Sequence, residues 1–276
     1  MAQARRNLRT ADVVRYIEEH YFADGSQMLT GVELEWLPYL IGGPSPGVAI
    51  EVLQKAIGDL SFPNDSSITF EPGAQVELSS PPSVSVPHLL DGMSRDSKLL
   101  FDSLRTSGIG LLAMGLRPWG SGDRYSRSPR YEAMESFFDA DGDAGRTMMR
   151  DTAALHINID LPTHCDPDRC WRVIHALAPV LAAAFANSPF RNGAPHSYRS
   201  QRQANWLVMD PTRCSAAFAT GSALADWATY VLRSRVMLIR TGKSDFVPVL
   251  ADMSFERWLV EGTSWDSQIW TIFVTT

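Results

Sequence analysis

The stretch from Thr69 to Ser79 reads TFEPGAQVELS and carries the strongest signal for the fold. Pro72-Gly73-Ala74 is a turn signal between two short runs of alternating polar and apolar residues. Ile68–Phe70 precedes the turn, and Gln75–Leu78 follows it. Residues two apart on a strand point to the same side of the sheet. The stretch therefore predicts an antiparallel hairpin with one apolar face and one polar face.

Two other stretches repeat this design. In Val32–Trp36 the residues between the apolar positions are Glu33 and Glu35, and Leu155–Asp160 alternates in the same way. The side chains of Glu33 and Glu35 would share one side of the strand, with Cβ atoms about 7 Å apart. Alternating rather than continuous apolar strands are typical of an antiparallel sheet with one face against helices. We therefore predict an α+β fold built on an antiparallel sheet.

Apolar residues recur at helical spacing in four places. Thr10 can cap the first predicted helix. The other three are predicted at Leu89–Leu104, Tyr131–Phe138 and Val173–Phe185, the last with a kink at Pro179. The sequence shows no internal repeat and no clear interdomain linker, so we predict a single domain of sheet and flanking helices.

The composition excludes several classes of protein. The chain has 276 residues, 45% of them hydrophobic, and a net charge of −6. These values are typical of a folded globular protein and exclude wholesale disorder. The acidic balance argues against nucleic acid as a partner, since phosphate binding needs surplus Lys and Arg. The longest apolar stretch, Val173–Ala186, is too short to cross a bilayer, so we expect no membrane association.

The N-terminal residues and the cysteines favour the cytoplasm. Residues 1–22 are charged and amphipathic, without the continuous apolar run of a secretory signal. Three cysteines, Cys165, Cys170 and Cys214, are too few for a disulfide-rich secreted domain. We predict a cytoplasmic protein in which Cys165 and Cys170 are thiols.

The polar faces of the predicted strands carry Glu33, Glu35, Gln75, Glu77, His156 and Asn158. A sheet with one solvated face explains polar alternation without any function, but not the absence of Lys, Arg and Thr from these positions. Paired carboxylates about 5 to 10 Å apart also occur in glycosidases, which is a second alternative. Clustered carboxylates repel each other unless a cation lies between them, and Mg²⁺ is bound by carboxylates together with waters and phosphates. The strands therefore predict a surface for a metal and a nucleotide.

Four motifs follow one another along the chain: GVELE at 31–35, TFEPGAQVELS at 69–79, PRY at 129–131 and FANSPF at 185–190. Together they resemble the plant and bacterial type of glutamate–cysteine ligase, especially the actinobacterial branch that feeds ergothioneine synthesis. The EPGxQxELS block is the most specific of the four. The similarity runs from about residue 11 to about residue 260 and covers most of the chain.

The resemblance implies a fold and a reaction. The catalytic domain would be like that of glutamine synthetase, a curved antiparallel sheet that forms a funnel with flanking helices. Its substrates would be ATP, glutamate and cysteine, with Mg²⁺ as cofactor. ATP would phosphorylate the side-chain carboxylate of glutamate, and the cysteine amine would attack the acyl phosphate to give γ-glutamylcysteine. This is the first step toward ergothioneine or another low-molecular-weight thiol.

The family's metal-binding residues match five positions of this chain. The acids correspond to Glu33, Glu35, Glu71 and Glu77. Plant enzymes have Gln where this chain has His156, whereas related bacterial ligases place a metal-binding histidine on a comparable strand. The resemblance therefore implies a metal site with four carboxylates and one imidazole.

The family's substrate-binding and catalytic residues also have counterparts. We expect the substrates to be bound by Arg130, Tyr131, Tyr198 and Arg202. Arg202 and Arg213 are expected to be catalytic. A planar guanidinium suits a carboxylate because it can donate two parallel hydrogen bonds.

The chain also departs from the family pattern. A further acid, normally within a Glu-x-Arg segment of a later strand, has no counterpart after Glu261. We expect residues 1–276 to be a single, incomplete ligase catalytic domain, with 261–276 an aberrant tail read out of frame. This predicts weak or absent ligase activity, exposed apolar surface and a tendency to aggregate. The alternative is a truncated, non-catalytic remnant that retains nucleotide or amino-acid binding.

Overall fold

The largest sheet has five strands, which are arranged around one long member, β1 (Thr30–Leu40). The computed structural model describes residues 9–22, 27–43, 47–120, 122–161, 164–215, 220–261 and 272–273. The other four strands of this sheet are β2 (Ser67–Phe70), β3 (Val76–Ser79), β4 (Ile109–Leu112) and β5 (Leu155–Ile159). Their order is β2-β3-β1-β4, with β5 also paired to β1, and every pairing is antiparallel. The predicted hairpin and all three predicted strand regions are confirmed.

The strand register brings the predicted acids side by side. Glu35 pairs with Glu77 across β1 and β3, and Glu33 pairs with His156 across β1 and β5. Residues opposite each other in an antiparallel pair project to the same face. One face of the sheet therefore carries these four polar side chains together.

The four predicted helices are present with longer or shifted ends. They are α1 (Thr10–Tyr21), α3 (Val86–Thr106), α4 (Pro129–Asp139) and α6 (Pro167–Ala184), and Pro179 lies inside α6. The prediction that Thr10 caps α1 is wrong, because Arg9 occupies the capping position. There the Asp12 carboxylate accepts the Arg9 backbone N–H at 3.0 Å.

The remaining elements are short. The helices are α2 (Ile50–Ile57), α5 (Ala144–Asp151), α7 (Gln201–Met209), α8 (Pro211–Cys214), α9 (Ala223–Arg233) and α10 (Phe255–Glu261). Two strands, β6 (Phe190–Arg191) and β7 (Ala194–Pro195), form a hairpin. A third sheet has β8 (Leu238–Arg240) between β9 (Phe246–Pro248) and β10 (Ile272–Phe273). Mixed helices and antiparallel sheets confirm the α+β prediction.

Helices α2 and α3 cover the apolar face of the large sheet. Trp36, Val76 and Leu78 pack there against Leu53 and Leu100, and all five are less than a tenth exposed. Burial of such side chains contributes about 1.5–3 kcal/mol each. Since the helices take this face, the polar face is left free for a ligand.

A second core supports the helices that flank the polar face. Phe137 and Phe138 of α4 pack with Met149 of α5, Met209 of α7 and Leu238 of β8. This core fixes α4 and α7 relative to each other. It therefore determines where residues at their N-terminal ends lie.

Apolar side chains of β5 and α6 are exposed. Leu155, Ile157 and Ile159 are 59–63% accessible, and no residue of α6 is buried. Polar contacts attach α6 to α9, where the Asp168 carboxylate accepts the Ala223 N–H at 2.6 Å. The sequence pattern predicted that the apolar side of β5 would pack inward, but α2 and α3 do not cover that edge of the sheet.

Two further expectations concern the thiols and membranes. Cys165 and Cys170 form a disulfide at the start of α6, so the prediction of thiols at these positions is wrong. The separation of five residues in the sequence did not distinguish two thiols from a disulfide, because it is the fold of the loop that brings the sulfurs together.

None of the described helices is long and apolar enough to cross a membrane. Apart from Glu261 and β10, the predicted aberrant tail lies outside the described residues.

Candidate active site

His156 lies between two carboxylates on the polar face. Its Nδ1 is 3.0 Å from Oε2 of Glu33 and 3.6 Å from Oε1 of Glu35. Asn158, the next residue on the same side of β5, donates from Nδ2 to Oε1 of Glu33 at 3.4 Å. The register of β1 and β5 produces these contacts, since it places His156 opposite Glu33. The imidazole therefore lies between two acids, and a cation would also favour this position.

The Glu35 and Glu77 carboxylates are held by hydrogen bonds. Oε2 of Glu35 accepts the backbone N–H of Ala154 at 2.9 Å. Oε1 of Glu77 accepts the hydroxyls of Thr69 and Ser79, each at 2.9 Å. Each carboxylate is thus oriented by hydrogen bonds from the sheet itself or from the residue just before β5.

Glu71 has the most perturbed ionisation in the site. Burial raises its pKa to about 7, and the negative charges of Glu35 and Glu77 add to this effect. Burial also raises the pKa of Glu35, against the opposing effect of His156. Three carboxylates therefore repel one another in a partly buried site. A bound cation would relieve this repulsion.

Arg202, the second residue of α7, lies close enough to Glu35 for their charges to interact. Burial lowers its pKa, and the charge of Glu35 opposes that shift. Its guanidinium lies 5.6 Å from the Trp206 ring centroid, and its Nε is buried without a hydrogen-bond partner among the described residues. Leaving such an N–H unsatisfied costs about 1–3 kcal/mol. An anionic ligand is suited to satisfy it.

Arg130 and Tyr131 approach the acids from the first turn of α4. The guanidinium of Arg130 lies 5.8 Å from the Tyr131 ring centroid and lowers the pKa of Glu71. Burial raises the pKa of the Tyr131 hydroxyl, and the charge of Glu71 raises it further. The PRY motif therefore lies beside the EPG turn, although about 55 residues separate them in sequence.

Two predicted site residues do not lie with the others. Tyr198 is 61% exposed and stacks on His196, with ring centroids 6.0 Å apart. Arg213 is buried, and its guanidinium hydrogen-bonds to the Asp210 carboxylate and the Arg235 carbonyl. Arg213 thus joins the N-cap of α8 to the segment before β8. Its guanidinium is paired there with Asp210, and its catalytic role stays a prediction.

Gln75 is buried, not solvated. The alternation placed it on the same side of the strand as Glu77, and it is only 2% exposed, with its amide nitrogen hydrogen-bonded to the carbonyls of Met149 and Thr152. Ala74, whose φ of 63° lies in the left-handed region, ends the predicted Pro72-Gly73-Ala74 turn just before β3 begins. The sequence pattern predicted the turn, but it did not indicate which residues would cover Gln75.

A cavity of about 380 Å³ adjoins the acids at the end of β1. Its lining includes Gly31, Glu33, Ser79, Ser80 and Asn158. Volumes of this size are typical of small-molecule sites. A ligand in this cavity would lie directly against Glu33.

The residues fit a hydrated magnesium ion. No three His, Cys, Asp or Glu side chains in the described part of the chain already surround a metal position. Carboxylate oxygens are the ligands that Mg²⁺ prefers, and Mg²⁺ usually retains several waters and substrate phosphates. The pKa of Glu71 is raised first by burial and then by the charges of Glu35 and Glu77, and a bound cation would oppose both effects. The donor set therefore suits Mg²⁺ completed by water and phosphate, not a preformed protein cage.

Comparison with known proteins shows the family of the chain. The model of the family described as Glutamate-cysteine ligase family 2 (GCS2) matches residues 29–275. The chain belongs to this family. The glutamate–cysteine ligase EgtA of Mycobacterium tuberculosis is 34% identical over 254 residues, which are 88% of this chain and 58% of that protein. The chain thus spans a little over half the length of this relative.

Relatives occur in plants as well. The chloroplastic glutamate–cysteine ligase of Nicotiana tabacum is 34% identical over 149 residues, or 53% of this chain and 28% of that protein. Among solved structures, glutamate–cysteine ligase from Francisella tularensis in complex with AMP matches with a TM-score of 0.49 and 13% identity. That match covers 75% of this chain and 48% of the other.

Proposed function

We propose that the polar face is the active site of an ATP-dependent glutamate–cysteine ligase. The observation that carries the proposal is the convergence of Glu35, Glu71 and Glu77 with the buried guanidinium of Arg202, in a chain of this family. Phosphoryl transfer depends on positioning and on neutralising charge, and it needs no nucleophilic side chain. Acids for a metal and arginines for anions meet that need.

In the proposed reaction, an oxygen of the glutamate side-chain carboxylate bonds to the γ-phosphorus of ATP and ADP leaves. The cysteine amine then bonds to the acyl carbon, inorganic phosphate leaves with the electrons of the broken C–O bond, and the nitrogen loses a proton. The product is γ-glutamylcysteine. Each step separates or moves negative charge, so correctly placed cations lower its barrier.

The acids of the strands would hold Mg²⁺. Glu33, Glu35, Glu71, Glu77 and His156 are the residues proposed to bind it. When bound, Mg²⁺ supplies positive charge that neutralises the phosphates of ATP. The hydrogen bonds from Ala154, Thr69 and Ser79 keep two of these carboxylates in place before any ligand arrives.

The arginines would bind the anionic substrate groups. Arg202 can donate to a substrate carboxylate or phosphate through an N–H that has no partner among the described residues. Arg130 and Tyr131 lie next to Glu71 and would contact the substrate on that side. Tyr198, being exposed, could contribute only at the rim of the site.

We propose that the product enters the synthesis of a low-molecular-weight thiol such as ergothioneine, in the cytoplasm. The support is the resemblance of the motifs to the actinobacterial branch. The 34% identity to the Mycobacterium tuberculosis enzyme agrees with this assignment.

A second candidate is a non-catalytic remnant that binds nucleotide or amino acid. The observation that favours it is that β5 and α6 expose apolar side chains. In such a protein the acid face would bind Mg-ATP without completing the reaction.

Mg-ATP thermal shift combined with a turnover assay separates the two candidates. A ligase shows stabilisation by Mg-ATP and phosphate release that requires both glutamate and cysteine. A remnant shows the stabilisation alone. Absence of any Mg-ATP effect on the melting temperature would contradict both candidates.

A further inference from the structure

The Gln75 side chain is buried and fully hydrogen-bonded. Its Oε1 accepts the Gly73 N–H at 2.9 Å, and its Nε2 donates to the carbonyls of Met149 and Thr152 at 3.2 and 2.8 Å. Both hydrogens of the amide nitrogen are therefore used. Gln75 is only 2% exposed, so water cannot replace these partners.

These bonds connect two separate parts of the proposed metal site. Gly73 belongs to the turn that carries Glu71. Met149 and Thr152 lie at the junction between α5 and β5, just before Ala154, whose N–H binds Glu35. One side chain thus joins the segment carrying Glu71 to the segment that orients Glu35.

The turn itself has no freedom to move independently. The Glu71 N–H donates to the Gln75 carbonyl at 3.0 Å, and the Pro72 carbonyl accepts the Tyr125 N–H at 2.8 Å. Gly73 approaches so closely that an added Cβ would lie 2.0 Å from the Arg150 carbonyl oxygen. Ala74 is completely buried at a φ of 63°. The turn is therefore docked against the end of α5, with Gln75 as its polar connection.

We infer that Gln75 is a positioning residue of the site: it fixes the distance between Glu71 and the β1–β5 pair that carries Glu35 and His156. This inference rests on the proposed function, since it assigns Gln75 a role in metal and nucleotide binding. Gln75 touches neither ligand. It acts through the two backbone segments that it joins.

The charge-changing substitution Gln75→Glu tests this role with little change in shape. It replaces the donating nitrogen with an oxygen that faces the Met149 and Thr152 carbonyls, so two hydrogen bonds are lost and the oxygens repel. Asn64→Ala is the matched control. The Asn64 amide donates to the Gly92 carbonyl at 3.0 Å and to Asp96 at 2.9 Å, on the α3 side of the sheet. Both variants lose two amide hydrogen bonds, from a buried side chain in Gln75→Glu and a half-buried one in Asn64→Ala, but only the first affects the proposed site.

The experiment measures Mg-ATP affinity by calorimetry and amide hydrogen exchange by mass spectrometry for the 276-residue chain and both variants. For Gln75→Glu we expect roughly tenfold weaker Mg-ATP binding, in the range found when groups that orient metal ligands are removed. Exchange is expected to accelerate in residues 69–76 and 152–157 together. Asn64→Ala is expected to lower the melting temperature without either change.

Two results would overturn the inference. One is wild-type Mg-ATP affinity in a folded Gln75→Glu variant; the other is faster exchange in only one of the two segments. Failure of the wild-type chain to bind Mg-ATP would instead contradict the proposed function. In that case the exchange data alone would decide whether Gln75 couples the two segments.

Discussion

Glu71 is the residue whose ionisation responds most to what the site binds. Its pKa of about 7 results first from burial and then from the charges of Glu35 and Glu77. In the unfolded chain the group has its ordinary value near 4.5. Between these two values the folded protein binds more protons than the unfolded chain, so its stability falls as the pH rises.

The first prediction follows from this fall in stability with rising pH. Without metal, the melting temperature should decrease from pH 4.5 to above pH 7, because the folded state resists ionising Glu71. Glu71→Gln should flatten this part of the profile and raise the melting temperature at pH 8. Thermal unfolding in a chelator across this range measures both effects. An identical pH profile in the variant would show that Glu71 is not the responsible group.

The second prediction concerns Mg²⁺. Binding the cation requires deprotonated Glu71, so stabilisation by Mg²⁺ should be larger at pH 8 than at pH 6. The comparison is the Mg²⁺-induced shift in melting temperature at the two pH values. Equal shifts at both would mean that Mg²⁺ does not bind near Glu71.

The third prediction separates a binding arginine from a structural one. Arg202→Lys should raise the KM for glutamate by about ten- to a hundredfold with little loss of stability, because Lys lacks the planar pair of donors. Arg213→Lys should lower the melting temperature and leave KM unchanged, since Arg213 is paired with Asp210. Steady-state kinetics and thermal unfolding of both variants check this. A raised KM in Arg213→Lys, with only a lower melting temperature in Arg202→Lys, would show that Arg213 is the arginine that binds substrate.

At the scale of elements, the alternation of polar and apolar residues was sufficient to predict the strands and their polar face. Helix α3 was predicted correctly because its apolar residues recur at helical spacing over several turns. The burial of Gln75 could not be predicted from sequence, because the carbonyls of Met149 and Thr152 that bind its amide are about 75 residues away in the chain. Arg213 matched a motif, but only the packing of α8 shows that Asp210 already pairs with it. Tertiary contacts decided both cases.

The fourth prediction concerns the apolar surface of β5 and α6. Ile157 and Ile174 are 59% and 60% exposed, and β5 lies at an edge of the sheet, where strands are prone to pair with other chains. Ile157→Lys and Ile174→Lys should reduce self-association without lowering the melting temperature. Val84→Lys is the control, since Val84 is 66% exposed outside both elements. Light scattering at increasing concentration measures the effect; unchanged association would exclude this surface as its cause.

At the scale of the whole molecule, the chain contains the face of acids and the arginines that lie over it. Apolar side chains remain exposed beside the site. We propose that binding of Mg-ATP depends on Glu35, Glu71 and Glu77, which the sheet and its turn hold together.

Formation of γ-glutamylcysteine by the purified 276-residue chain, followed by mass spectrometry, tests the proposed active site most directly. We predict product formation that requires Mg²⁺, ATP, glutamate and cysteine together and is lost in Glu71→Gln. No product from the folded wild-type chain, or equal product from the Glu71→Gln variant, would contradict the assignment of the acid face as a ligase site.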